Sequence, residues 1–127
     1  MEDLKVLLVD DEVEFVSTLA ERLSLRGIQT RTANDGEEAF RQITADPPQV
    51  VVLDVMMPGM GGLKVLERIK TDYPAMPVIL LTGIGTTQDG MAGMRLGAFD
   101  YLMKPLQIED LIERIGEAVK KGSGGAV

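Results

Sequence analysis

The sequence predicts an α/β fold: a three-layer, doubly wound (βα)5 sandwich around one parallel five-stranded sheet. Short apolar runs alternate along the chain with longer stretches of helical periodicity. The first, third and fourth short runs are apolar at nearly every position, as in parallel strands that helices cover on both faces. Five βα units without eightfold repetition favour an open sheet over a barrel.

Each element has its own local signal. Strands are predicted at residues 5–9, 28–33, 50–54, 77–81 and 99–103. Asp35 and Glu38 are spaced as in a capping box, and Gly27 and Gly97 lie where helices should end. Apolar residues at helical spacing mark the first helix at Val16, Leu19, Ala20 and Leu23, and the last at Ile108, Leu111, Ile112, Ile115 and Val119.

Length and composition indicate one globular domain. Of the 127 residues, 45% are apolar and 26% are charged, and no apolar run approaches the ~20 residues that span a bilayer. The acidic start, Met1-Glu2-Asp3, resembles no targeting peptide, so we expect a cytoplasmic protein without a membrane partner. We expect a domain at residues 1–121 and a flexible tail or linker start at 122–127.

The composition also excludes several kinds of chemistry. The chain has no cysteine, which excludes disulfides and thiolate metal sites, and no histidine, which excludes Ser-His catalysis and imidazole-bound zinc. Its formal net charge of −7 makes direct nucleic-acid binding by this segment improbable. Any reaction must therefore use carboxylate, hydroxyl or ammonium groups.

Polar residues follow or end four of the predicted strands. The carboxyl ends of parallel strands meet at one edge of a sheet, and strand order 2-1-3-4-5 makes the first and third strands neighbours. Converging carboxylates repel one another, so one pKa should be raised unless a cation lies among them, and oxygen ligands favour Mg²⁺. The residues concerned are Asp10, Asp11, Asp54, Thr82, Lys104 and Pro105.

Each of these residues also has a structural explanation. Asp11 could cap the first helix and Thr82 the fourth, Lys104 could be solvated, and Tyr101 could belong to the core. The structural explanations would require acid, hydroxyl and ammonium groups to meet at one edge by chance. We therefore favour a functional site.

At these positions the chain resembles the receiver domains of two-component response regulators, which have a flavodoxin-like fold. The resemblance covers residues 4 to 120, and its four motifs occur in order at the strand ends. They are Val9-Asp10-Asp11, the run from Leu53-Asp54 to Gly61-Gly62, Leu81-Thr82-Gly83, and Asp100-Tyr101-Leu102-Met103-Lys104-Pro105.

The resemblance implies a phosphoacceptor site. Asp54 would take a phosphoryl group from a phosphohistidine on a sensor histidine kinase or phosphotransfer protein, and Lys104 would supply positive charge. Mg²⁺ would be held by Asp11, Asp54 and the backbone carbonyl of Met56, with Asp10 acting through a metal-bound water.

The resemblance further implies a conformational switch. Thr82 would turn toward the phosphoryl group, Tyr101 would fill the space it leaves, and the Lys104-Pro105 bond would be cis. Such a domain is a signalling module that assists only its own phosphorylation and slow dephosphorylation, not an enzyme with a substrate. Its output surface would be the face of the fourth helix, fifth strand and fifth helix, through homodimerisation or a C-terminal output domain outside this chain.

Three features of the sequence qualify these expectations. Gly90 and Gly93 lie inside the presumed fourth helix, which predicts either a soft helix or close packing against a neighbour. Gly61 stands where the family often has an acidic residue, so the loop after the third strand should be looser. Met56 and Ile84 are apolar at positions that flank the path of the hydrolytic water, which predicts slow autodephosphorylation.

Three other functions are compatible with the fold. A haloacid-dehalogenase-like phosphohydrolase would need an aspartate at position 56, where this chain has methionine. An unphosphorylated receiver-like interaction module would usually lack an acidic residue or the lysine, and this chain has both. A flavodoxin-like nucleotide carrier would need a glycine-rich phosphate loop and aromatic residues, of which the chain has few.

Overall fold

The computed structural model describes residues 4–57, 59–83 and 87–125, with side chains described as far as residue 121. Within these ranges the strands are β1 (Lys5–Val9), β2 (Gln29–Ala33), β3 (Val50–Asp54), β4 (Val78–Thr82) and β5 (Asp100–Met103). The helices are α1 (Val13–Ser24), α2 (Gly36–Ala45), α3 (Gly62–Asp72), α4 (Thr87–Arg95) and α5 (Ile108–Gly125). All strands are parallel in one sheet of order β2-β1-β3-β4-β5, which confirms the predicted fold and topology.

The sheet separates two hydrophobic clusters. Alternate residues of β1 point to opposite faces: Val6 and Leu8 join the cluster beneath α1 and α5, whereas Leu7 and Val9 join the cluster that contains the buried residues of α2 and α3. β3 and β4 are buried at every position. Each fully buried leucine contributes roughly 2 kcal/mol, so this two-sided core fixes the sheet that carries the site.

The strand boundaries differ from the predicted ones by no more than one residue, and backbone chemistry explains part of the difference. Ile28 donates its N–H to the Leu23 carbonyl to end α1, so β2 begins at Gln29. β4 begins at Val78 because Pro77 has no N–H, although the Pro77 carbonyl accepts from Val51. β4 includes Thr82 as its last residue.

The predicted helix ends are confirmed in the structure. Gly27 and Gly97 have φ of +84° and +104°, a left-handed conformation that favours glycine. At each, paired hydrogen bonds from the glycine and the following residue return to the helix, as in a Schellman motif. At the other end of α2, Asp35 Oδ1 accepts a hydrogen bond from the Glu38 N–H at 2.8 Å.

The glycines inside α4 are sites of close packing. A Cβ at Gly90 would lie 2.7 Å from Cδ2 of the Tyr101 ring, and a Cβ at Gly93 would collide with Cδ1 of the buried Leu80. Of the two explanations that the sequence allows for these glycines, the structure supports close approach of the helix to β4 and β5.

The last helix is longer than expected. α5 continues to Gly125, four residues beyond the boundary at 121 that linker composition predicts. Glycine and serine are poor helix formers, yet the backbone here continues the helix that the preceding turns have established. None of the helices in the described part of the chain combines the length and apolarity needed to cross a membrane.

Candidate functional site

Three polar residues are buried where parallel strands end. Strand pairing places the carboxyl ends of β1, β3 and β4 side by side, with Val9 opposite Leu53 and Asp54 opposite Leu81. Asp10 follows β1, Asp54 ends β3 and Thr82 ends β4, and they are only 2%, 3% and 0% exposed. The carboxyl ends of these three strands therefore carry buried polar side chains, at the edge where the sequence predicts the site.

Asp10 is fixed by the backbone around it. Its N–H donates to the Ala33 carbonyl at 3.0 Å, and its own carbonyl accepts from Asn34 Nδ2 at 3.2 Å. The carboxylate oxygen Oδ1 accepts from the Glu12 N–H at 2.9 Å, which leaves Oδ2 to accept from Lys104 Nζ at 3.0 Å. Both oxygens of a buried carboxylate are thus satisfied, as burial of a charge requires.

Asp54 is the carboxylate with a strongly perturbed pKa. Burial and, next, the charge of Asp10 raise the pKa of Asp54 to about 6, although the Lys104 ammonium and a hydrogen bond from the Met56 N–H lower it. The Met56 N–H lies 3.3 Å from Asp54 Oδ1, and Lys104 Nζ lies 3.7 Å from the same oxygen. Asp54 is therefore mostly ionised at neutral pH, and the Lys104 ammonium compensates its negative charge only in part.

Lys104 crosses the sheet edge from the end of β5. Its backbone N–H donates to the Thr82 carbonyl at 2.6 Å, and its bond to Pro105 is cis, as the resemblance implies. The ammonium lies 2.7 Å from Glu12 Oε1 and 4.4 Å from the centre of the Phe15 ring. Burial lowers the pKa of Lys104, but hydrogen bonds with Glu12 and Asp10 and the charge of Asp54 more than offset this, so the pKa is raised.

The third carboxylate near the ammonium is Glu12, which sequence analysis did not single out. Oxygen atoms of Asp10, Glu12 and Asp54 lie within 4.8 Å of one another, and Asp11 does not belong to this group. Asp11 is half-buried, and its charge is the smallest of the effects that raise the pKa of Asp54. The signal in the sequence was the acidic run that extends from Asp10 and Asp11 to Glu12.

Asp11 does not cap α1 in this structure. The N-cap position is Glu12, and no side chain accepts a capping hydrogen bond there. The helix-cap alternative for Asp11 is thus unsupported, and its assignment as a metal ligand stays a prediction.

Thr82 and Tyr101 lie on neighbouring strands β4 and β5. The Thr82 hydroxyl is buried and has no hydrogen-bond partner among the residues that the structure describes, a state that costs roughly 1–3 kcal/mol. The half-buried Tyr101 ring packs against Gly90 of α4 and the cluster containing Leu80. A buried unpaired hydroxyl is available to a new acceptor.

After Asp54, the backbone of Val55 packs closely against Gly62, the first residue of α3. Gly62 N–H donates to the Val55 carbonyl at 3.0 Å, and a Cβ at Gly62 would lie 2.6 Å from Val55 Cα. The Met56 side chain is 58% exposed. Ile84, the second residue of the predicted water path, lies outside the described residues.

The donor set at this edge consists of carboxylate oxygens. The chain contains no histidine or cysteine, so a soft or borderline metal would find none of its preferred ligands. Oxygen-only sites suit hard cations such as Mg²⁺. The cluster of Asp10, Glu12 and Asp54 is compatible with such an ion.

Comparison with known proteins gives one consistent result. The family model for the response regulator receiver domain matches residues 6–116. The chain is 40% identical over 122 residues to the probable transcriptional regulator ycf27 of Guillardia theta, covering 96% of this chain and 48% of that one. It is 38% identical over 116 residues to the probable transcriptional regulatory protein TcrX of Mycobacterium tuberculosis, covering 91% and 50%.

A solved structure agrees with the sequence matches. The receiver domain of NtrX from Brucella abortus superposes with a TM-score of 0.87 at 35% identity, covering 91% of this chain and 98% of that one. The chain spans about half the length of the two transcriptional regulators it matches, but nearly all of this isolated domain.

Proposed function

The chain belongs to the response regulator receiver domain family, and from this premise we propose that it accepts a phosphoryl group on Asp54 and changes conformation in response. The observation that carries the proposal is the convergence at one sheet edge of buried Asp54, buried Asp10 and the Lys104 ammonium. Such a site signals by being modified, so we describe it as a signalling domain, not an enzyme.

The proposed reaction is a phosphoryl transfer between two proteins. A carboxylate oxygen of Asp54 forms a bond to phosphorus, while the phosphorus–nitrogen bond of a phosphohistidine on a histidine kinase or phosphotransfer protein breaks. The histidine nitrogen leaves with the bonding electrons, and the product is an aspartyl phosphate. With a pKa of about 6, Asp54 is ionised and nucleophilic at neutral pH.

The residues present fit Mg²⁺ as the cation of this site. Asp10 and Asp54 supply carboxylate oxygens close together, and the resemblance adds Asp11 and the Met56 carbonyl as ligands, with Asp10 acting through water. When bound, Mg²⁺ would neutralise the carboxylates and the charge on the phosphoryl oxygens. The buried position of Asp54 keeps its carboxylate in one orientation for the reaction.

The positive charge contributed by the chain itself is Lys104. Its ammonium is 3.7 Å from Asp54 Oδ1, close enough to contact a phosphoryl oxygen on that carboxylate after a small movement. Positioned charge of this kind is the main contribution a protein makes to phosphoryl transfer.

Thr82 and Tyr101 form the proposed switch. The Thr82 hydroxyl has no partner in the part of the chain described, so it gains a hydrogen bond by donating to a phosphoryl oxygen. Tyr101 then moves toward the space that the Thr82 side chain leaves. A phosphoryl group that favours the active state by up to ~5.5 kcal/mol makes the change nearly complete.

We further propose that the output surface is the face of α4, β5 and α5. Exposed Met91, Met94 and Met103 lie on α4 and β5 and offer apolar contact area for a second copy or an output domain. The named relatives are about twice as long as this chain and are described as transcriptional regulators, which supports a regulatory output in a longer protein.

The test is phosphoryl uptake from a small donor. Incubation with acetyl phosphate and Mg²⁺ should add the mass of one phosphoryl group, and chelation of Mg²⁺ should prevent it. Asp54→Asn should abolish the addition, whereas Asp46→Asn, at an exposed aspartate away from the site, should leave it unchanged. Uptake that persists in Asp54→Asn would contradict the proposal.

A further inference from the structure

The Lys104 ammonium lies closer to Glu12, the N-cap residue of α1, and to Asp10 than to Asp54. It lies 2.7 Å from Glu12 Oε1 and 3.0 Å from Asp10 Oδ2, but 3.7 Å from Asp54 Oδ1. The Phe15 ring, three residues after Glu12 and therefore on the same side of α1, lies beneath the ammonium at 4.4 Å. Glu12 and Phe15 thus form a second binding position for this cation.

The two carboxylates that compete for Lys104 differ in their exposure to solvent. The Glu12 side chain is 62% exposed, whereas the Asp54 side chain is only 4% exposed and accepts a backbone hydrogen bond. An exposed glutamate exchanges an ion pair for water at little cost, so the Glu12 contact is weak and reversible. Asp10 contacts the same ammonium at 3.0 Å from its buried position.

We propose that Glu12 is a positioning residue that, together with Phe15, holds Lys104 away from Asp54 in the resting protein and releases it during phosphorylation. The inference rests on the proposed function, because it assumes that Lys104 contacts the phosphoryl group on Asp54. It predicts that α1 sets how readily the site reacts, through a residue that neither accepts the phosphoryl group nor contacts it.

Another explanation of the same geometry predicts the opposite result. If Glu12 were instead a ligand for the divalent cation, its loss would weaken Mg²⁺ binding and slow phosphorylation. If Glu12 restrains Lys104, its loss removes a competitor and speeds phosphorylation. Whether the loss of Glu12 speeds or slows phosphorylation therefore distinguishes a restraint on Lys104 from a metal ligand.

The experiment compares initial rates of phosphoryl uptake from acetyl phosphate at limiting Mg²⁺, where weaker metal binding would slow the reaction, and again at saturating Mg²⁺. Glu12→Gln should react roughly two- to fivefold faster than the natural chain, the range that corresponds to loss of one exposed ion pair. Glu12→Asp, which keeps the charge but shortens the reach, should also be faster. Glu14→Gln removes the same charge from the first turn of α1 without a contact to Lys104 and should match the natural chain.

A double-mutant comparison tests whether the effect passes through Lys104. In a Lys104→Ala background, Glu12→Gln should leave the remaining rate unchanged. Melting temperatures of Glu12→Gln and Glu14→Gln should agree, which separates positioning from a structural effect.

Three outcomes would overturn the inference. Glu12→Gln could be slower than or equal to the natural chain, Glu14→Gln could accelerate uptake equally, or the acceleration could persist without Lys104. A natural chain that takes up no phosphoryl group at all would overturn the proposed function, and this inference with it.

Discussion

The electrostatics of Asp54 follow from where a single residue falls on the sheet. A carboxylate that ends a strand buried on both faces loses solvent, and the first strand brings Asp10 beside it. Both effects raise the pKa of Asp54, and Lys104 compensates only in part. The buried Asp54 carboxylate is thus kept at a cost in stability.

This cost predicts that Asp54→Asn is more stable than the natural chain. The folded-state pKa of about 6 exceeds the ordinary 3.8, so above about pH 6 the natural fold carries a buried charge that the variant lacks. Without Mg²⁺, the variant's unfolding free energy should be higher by about 2–3 kcal/mol at neutral pH.

The raised pKa of Asp54 also predicts how the difference in unfolding free energy between the variant and the natural chain changes with pH. Between about pH 6 and pH 4 the folded natural chain binds a proton at Asp54 that the unfolded chain does not, so the destabilising contribution of Asp54 decreases as pH falls and the variant's advantage disappears. Urea unfolding across this range measures the difference. An advantage that does not change with pH would contradict the assignment of the buried charge to Asp54.

Met56 leads to a prediction about the lifetime of the phosphorylated state. Its thioether is exposed beside Asp54 and is only a weak acceptor, so it cannot orient an attacking water. Met56→Asn should speed loss of the phosphoryl group by roughly 5–10-fold, the effect of about one added hydrogen bond.

The matched control for this variant is Met60→Asn, at an exposed methionine farther along the same loop. Phosphoryl loss from purified protein would be followed by intact mass. Equal rates in the natural chain and Met56→Asn would contradict the explanation.

At the scale of elements, close packing explains why α4 has two glycines in its interior. Propensity alone makes Gly90 and Gly93 unfavourable by about 1 kcal/mol each relative to alanine. Contact with Tyr101 and Leu80 reverses this preference for alanine, because there is no room for a Cβ atom at either position. Glycine here lets the helix lie directly on β4 and β5.

We therefore expect Gly90→Ala and Gly93→Ala each to lower the unfolding free energy by roughly 1–3 kcal/mol. Gln88→Ala, at an exposed position of the same helix, should change it by less than about 0.5 kcal/mol. Chemical unfolding of the three variants provides the measurement. Stabilisation by the two glycine replacements would instead indicate a soft helix with space around it.

The elements themselves were predictable from local signals. Short apolar runs between stretches of helical periodicity predicted all five strands. Gly27 and Gly97 marked helix ends, because a residue in the left-handed conformation is needed there. The extension of α5 to Gly125 was missed, because linker composition describes propensity and not the helix that precedes it.

At the scale of the whole molecule, the fold makes the site by joining distant segments. Strand order brings the ends of β1, β3, β4 and β5 to one edge, so the sequence predicted that Asp10, Asp54, Thr82 and Lys104 lie together there. It could not predict that Lys104 would contact Glu12, because that depends on how far a long side chain reaches toward α1.

The most direct test of this convergence is a crystal structure grown with Mg²⁺ and beryllium fluoride, which forms a phosphoryl-like adduct on a reactive carboxylate. We predict an adduct on Asp54, with the Lys104 ammonium moved from Glu12 onto it and the Thr82 hydroxyl donating to it. An adduct on another carboxylate, or none on Asp54, would contradict the account.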